Sequence, residues 1–167
     1  MQKGEPLVSI VMGSDSDLDV MRKCADLLTD LEVPHEIRIM SAHRTPDVVA
    51  DYASSAAGRG LKVIVAGAGA AAALPGVVAA HTHLPVIGVP IDATALRGVD
   101  ALYAIVQMPS GVPVATVGID GAKNAAVLAA RILALQDEKI ADKLDEMTRS
   151  RAASVLETDK RVREEAQ

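Results

Sequence analysis

Lys62-Val63-Ile64-Val65-Ala66-Gly67-Ala68-Gly69 decides the fold of this chain. Its short apolar run is β-branched and closed by glycines, so it reads as a strand buried on both faces. A strand of that kind belongs in a parallel sheet covered by helices. Towards the N-terminus, Leu7 to Met12 is a second apolar run ending at Gly13. A helical pattern follows from about Asp17 to Asp30, with Leu18, Met21, Leu27 and Leu28 facing inward. Glu36 to Met40 alternates around Ile37 and Ile39 as a strand. Thr45-Pro46 then opens a helix reaching Gly58, with Thr as N-cap and Pro in the first turn. In the other direction an Ala-rich helix runs to about His81, and Pro85 to Pro90 is a strand. A short helix covers Val99 to Val106, Val112 to Val117 is a fifth strand, and Ala122 to Gln136 is a strong helix.

Strands alternating with helices are the signature of βαβ units. The expected fold is therefore α/β: a flavodoxin-like three-layer α/β/α sandwich with a parallel sheet. Such sheets bind ligands beyond the C-terminal strand ends, where the strand order reverses. Beyond Gln136 the composition shifts. Residues 137–167 hold nine acidic and seven basic residues, with Ile140, Leu144, Met147, Val155 and Leu156 as spaced apolar points. Too few apolar residues remain there for a second core. Residues 1–136 are thus expected to form the α/β domain, and 137–167 a charged C-terminal helical extension of it.

The chain's 167 residues suit one domain. Half are apolar, yet Tyr52 and Tyr103 are the only aromatics, so the core must be built from Ala, Val, Leu and Ile. The net charge of −5, the lack of a basic stretch and the scarcity of stacking groups argue against a nucleic-acid surface. Cys24 is the single cysteine and reads as a small buried side chain. No signal-peptide pattern and no membrane-length apolar run is present, which places the expected location in the cytoplasm.

Two loops carry candidate chemistry. Gly13-Ser14-Asp15-Ser16-Asp17 follows the first strand and opens the first helix. Backbone N–H groups at a helix start attract anions, and Ser14 and Ser16 add hydroxyl donors. Asp17 would repel a phosphate and instead suits ribose hydroxyls; plain N-capping explains the same residues. Ser41-Ala42-His43-Arg44-Thr45-Pro46 follows the second strand, hence the same sheet edge. His43 can take and give a proton near neutral pH, and Arg44 offers a charged fork for phosphate. The bland alternative is a capping loop with both side chains in solvent. A rival reading starts from Gly67-Ala68-Gly69-Ala70-Ala71-Ala72, which fits the dinucleotide fingerprint with Asp92 some 20 residues on. His81 and His83 lack the company of further metal ligands and read as a surface turn.

Together, Met12 to Asp17, Ser41 to Pro46, and Ala66 through Leu74-Pro75-Gly76 resemble the N5-carboxyaminoimidazole ribonucleotide mutase family of purine biosynthesis, known as PurE. Pro85 to Pro90, Gly98 to Tyr103, Ile105 to Pro109 and Lys123 to Ala126 extend the likeness over about residues 7 to 136. The resemblance implies a homo-octamer and a cofactor-free, metal-free reaction on a small ribonucleotide. In it a carboxylate leaves N5 as trapped CO2 and is captured by C4. By motif match, His43 moves the protons, and Ser14, Ser16, Asp17, Ser41 and Arg44 bind the ribose phosphate portion. The backbone around Ala68, Gly69 and Leu74 lines the carboxylate pocket. Relatives that carboxylate the aminoimidazole ribonucleotide directly carry Lys after the loop His, so Arg44 points to the mutase branch. The chain departs from the family pattern at Ala70, where Gly is usual, and at Ala73, where His is usual. That departure keeps two other expectations in view: a PurE-like carboxylase acting on a related heterocycle, and a non-catalytic dinucleotide binder.

Overall fold

A computed structural model describes residues 4–166. Five strands, β1 (Val8–Met12), β2 (His35–Ile39), β3 (Val63–Gly69), β4 (Val86–Ile91) and β5 (Ala115–Thr116), alternate with helices α1 (Leu18–Asp30), α2 (Pro46–Ser55), α3 (Leu74–Ala80), α4 (Val99–Val106) and α5 (Ala122–Ala134). A sixth helix, α6 (Glu138–Glu165), ends the chain. The sheet order is β2-β1-β3-β4-β5 with every pairing parallel. This is the doubly wound sandwich expected from the sequence, its order reversing between β1 and β3.

Successive strand residues point to opposite faces, and the core divides accordingly. Val8, Ile10, Met12, Val63, Val65, Ile87 and Val89 pack beneath α1 and α5. Val11, Ile64, Ala66 and Val86 pack beneath α2, α3 and α4. Both faces of β1, β3 and β4 are thus sealed, which is why these strands are apolar apart from the buried Ser9. With almost no aromatic volume available, the layers close up through small residues. A Cβ on Gly67 would stand 2.4 Å from Met21 Sδ, and one on Gly88 would stand 2.3 Å from Ile105 Cγ2. Helices α1 and α4 sit directly on those two bare stretches of backbone.

The edges differ from the expectation. Strand β2 starts at His35, and its Ile37 and Ile39 are exposed, because an edge strand is covered on fewer sides than a central one. β5 shrinks to Ala115–Thr116: Pro113 just upstream has no N–H to give a ladder, and no strand lies on its outer side. Tyr52 ties the β2 edge to α2. Its hydroxyl donates to Glu36 Oε1 at 2.5 Å and also meets the buried Ser9 hydroxyl, while the Arg59 guanidinium lies 4.3 Å from its ring centroid. Tyr52 therefore uses both its ring and its oxygen.

Helix α6 docks through Ile140 and Leu144 on the α5 side, and Asp137 caps it by accepting from the backbone N–H groups of Lys139 and Ile140. From Thr148 to the end of the described chain its residues are exposed. No helix among the described residues is long and apolar enough to cross a membrane.

Candidate active site

The strand order reverses between β1 and β3, so the loops leaving these strands diverge and open a crevice at the C-terminal sheet edge. A cleft of about 480 Å³ occupies it. Ser14, Ser16, Asp17, Ser41, His43, Arg44, Ala68, Gly69 and Leu74 all line this one cleft. The residues expected to bind substrate or move protons therefore converge there, from the loops after β1 and β2, the end of β3 and the start of α3. A larger cavity, about 630 Å³, lies at the opposite end of the sheet around His81, His83, Pro85 and Pro113. It shares no residue with the cleft, and size alone does not make it the site of chemistry.

Loop one is rigid. Asp15–Asp17 forms a 3₁₀ turn, capped by the Ser14 hydroxyl accepting from Ser16 N–H at 3.3 Å. The Ser16 hydroxyl donates to Asp17 Oδ1 at 3.2 Å. Asp17 holds the N-cap position of α1 yet makes no capping hydrogen bond with its side chain. The residue is 7% exposed, and burial pushes its pKa above the ordinary 3.8 despite the Ser16 and Ser14 hydrogen bonds and the nearby Arg44 charge. A partly buried carboxylate, off its own helix and at the cleft wall, is placed to accept hydrogen bonds from a ligand.

Loop two contains a correction. Thr45 occupies the N-cap position of α2 but makes no side-chain capping bond. Its hydroxyl turns back instead, donating to Ser41 O at 3.1 Å and accepting from Ser41 N–H at 3.0 Å. Arg44 is anchored as well. Its Nη2 donates to Gly13 O at 2.5 Å and its Nε to Ser41 Oγ at 3.3 Å, so it bridges the two loops. His43 is exposed in the cleft and is the single imidazole among its lining residues.

Opposite this polar wall the cleft is nearly all methyl groups: Ala68, Ala70, Ala72, Ala73 and Ala93. Ala93, on the loop after β4, escaped the sequence reading; its only signal is its place just beyond a C-terminal strand end. Ala70 sits at φ 49, in the left-handed region, where a non-glycine residue carries roughly 1 kcal/mol of strain. Cys24 is fully buried on α1, and its thiol is pushed up to about 12 by burial, as befits an inert core group. The dinucleotide fingerprint finds no matching backbone. Gly67 lies inside β3 rather than in the turn after it, and α3 begins only at Leu74. Among the described residues no cluster of three or more His, Cys, Asp or Glu side chains could hold a metal ion.

Fold and site together define a doubly wound α/β protein with a cleft lined by Ser, Asp, His and Arg at its switch point. The chain belongs to the AIR carboxylase family, whose model matches residues 7–154. It is 55% identical over 164 residues to the N5-carboxyaminoimidazole ribonucleotide mutase of Pyrococcus horikoshii, covering 98% of this chain and 93% of that one. It is 61% identical over 129 residues to the phosphoribosylaminoimidazole carboxylase of Schizosaccharomyces pombe, covering 77% of this chain but only 23% of that protein. Among solved structures, PurE of Treponema denticola superposes with a TM-score of 0.84 at 36% identity, over 93% of this chain and 98% of that one.

Proposed function

We propose that this chain is an N5-carboxyaminoimidazole ribonucleotide mutase of purine biosynthesis, converting its substrate to 4-carboxy-5-aminoimidazole ribonucleotide. The observation that carries the reading is the convergence of Ser14, Asp17, His43 and Arg44 on one cleft at the β1/β3 switch point. Arg44 and the 3₁₀ turn at Asp15–Asp17 hold the phosphate end, and Asp17 accepts from the ribose hydroxyls. His43 gives a proton to N5 as the N5–carboxylate bond breaks and CO2 is released. The C4 carbon then attacks CO2, and His43 takes the proton that C4 sheds. The imidazole ends as it began and the sum is an isomerisation. The alanine wall suits the CO2 step, because a small apolar molecule is held where no side chain offers it a hydrogen bond.

Mixing the protein with the N5-carboxylated ribonucleotide and following the C4-carboxylated product tests the reading. Turnover no faster than the spontaneous reaction would sink it. A second reading, direct carboxylation of aminoimidazole ribonucleotide, is favoured by the likeness to the fungal carboxylase. Bicarbonate-dependent product from aminoimidazole ribonucleotide alone would establish that one instead.

The reading carries a cytoplasmic location, residues 1–136 as the catalytic unit and 137–167 as its extension, and a homo-octamer. An unpartnered apolar stripe supports the assembly: Leu96, Val99, Tyr103 and Val106 share one face of α4 and its entry, each at least 43% exposed. Light scattering that returns a monomer would remove the octamer from the reading.

Asp17 offers a pH test. Burial favours its protonated form, so the folded chain holds that proton to higher pH than the unfolded chain, whose carboxyl titrates near 3.8. Ionised Asp17 therefore costs stability above that window, and the cost fades as pH falls towards 3.8. Asp17→Asn should melt at a higher temperature than wild type at pH 7, with the gap closing in acid. Its kcat/KM should fall by about ten- to a hundredfold with the lost charged acceptor.

A further inference from the structure

We propose that Thr45 is a positioning residue that holds Arg44 in the orientation in which it meets the substrate's anion. The mutase reading supplies only the identity of that anion, a sugar phosphate. Three hydrogen bonds join Thr45 to Ser41: the two made by its hydroxyl, and Thr45 N–H donating to Ser41 O at 2.9 Å. They clamp the Ser41 peptide from both sides and close residues 41–45 into a ring. Ser41, 9% exposed, then turns its Oγ to Arg44 and accepts from the backbone N–H at 3.2 Å and from Nε at 3.3 Å. The far end of Arg44 is held by Gly13 O. A continuous chain of contacts thus runs from the start of α2, through Ser41 and Arg44, to the loop after β1.

An ordinary N-cap threonine would bond the first-turn N–H groups of its own helix. This hydroxyl leaves them and serves the loop that carries His43 and Arg44. The consequence lies in donor count. A guanidinium has five N–H donors. Nε–H and one Nη2–H are engaged, so three remain for an anion on a fork that is already fixed. An unanchored arginine would lose its rotamer freedom only on binding, and affinity would fall accordingly.

Thr45→Val keeps the shape and removes the hydroxyl, whereas Thr45→Ser keeps the hydroxyl. The readouts are ribose 5-phosphate binding by calorimetry, KM and kcat with the N5-carboxylated ribonucleotide, and the melting curve. Thr45→Val should weaken ribose 5-phosphate binding and raise KM about tenfold, with kcat nearly unchanged. Thr45→Ser should restore both. Ser41→Ala should reproduce the loss and stands in if Thr45→Val does not fold. In an Arg44→Ala background, Thr45→Val should cost nothing further, because two residues acting through one contact are not additive. Full additivity there, unchanged binding by Thr45→Val, failure of Thr45→Ser to rescue, or no binding of ribose 5-phosphate by the wild type would each overturn the proposal. Binding effects as expected in a protein without mutase turnover would uphold the proposal and overturn the mutase reading.

Discussion

His43→Asn should lower mutase turnover by about a thousandfold or more while the ribonucleotide still binds within a few-fold of wild type. Two proton transfers run through one imidazole in the proposed reaction, one to N5 and one from C4. General acid–base catalysis by a placed side chain is typically a 10²–10⁴-fold effect per step. No other imidazole lines the cleft, and the family's second His position is Ala73, so nothing nearby can take over. Asparagine keeps the polarity and approximate size of the ring's inner half but cannot cycle a proton at neutral pH. The hydrogen bonds that anchor Arg44 run to Ser41 and Gly13, and the 3₁₀ turn at Asp15–Asp17 is capped by Ser14, so binding should survive the loss of His43. Single-turnover kinetics with calorimetry separate the two quantities. Turnover within tenfold of wild type would remove His43 from the chemistry, and a parallel loss of binding would make it a binding residue.

The second large effect concerns the frame. Gly88→Val should destabilise the chain by about 3 kcal/mol, lowering the melting temperature by roughly 6–12 °C. Position 88 is the middle of β4, and a Cβ there would lie 2.3 Å from Ile105 Cγ2 and 2.9 Å from Val114 Cγ1. Neither neighbour is the loose end of a long side chain. Ile105 is a fully buried residue of α4 itself, and Val114 leads into β5. Helix α4 would have to lift off the sheet, opening gaps along Ala101 and Ile105. Calorimetric unfolding measures this directly. A variant melting within 2 °C of wild type would mean that α4 shifts freely and that its contact with the sheet contributes little.

The same β4 contact explains part of what a linear reading misses. Central strands β1, β3 and β4 were legible because burial on both faces demands an unbroken apolar run, and such a run survives in any order of residues. Edge strands were not. β2 and β5 are defined by what lies beside them, so their bounds moved, and Ile37 and Ile39 look like core in the sequence but stand exposed. Gly88 is in the sequence one residue of the Pro85 to Pro90 run, whereas in the fold it is the seat of Ile105.

The two loops of the site were legible as chemistry, since Ser, Asp, His and Arg clustered after strands have few other uses. By itself the sequence determined the layer architecture, the central strands and the residue types that the cleft presents, because periodicity and local turn chemistry depend on neighbours along the chain. Only the tertiary structure decided that Arg44 bridges to Gly13, that Thr45 serves Ser41 rather than its helix, that Asp17 is buried, and that Ala93 and His43 line one cleft. Those facts rest on residues distant in sequence or on a hydroxyl choosing between two equally close partners, and packing alone makes that choice.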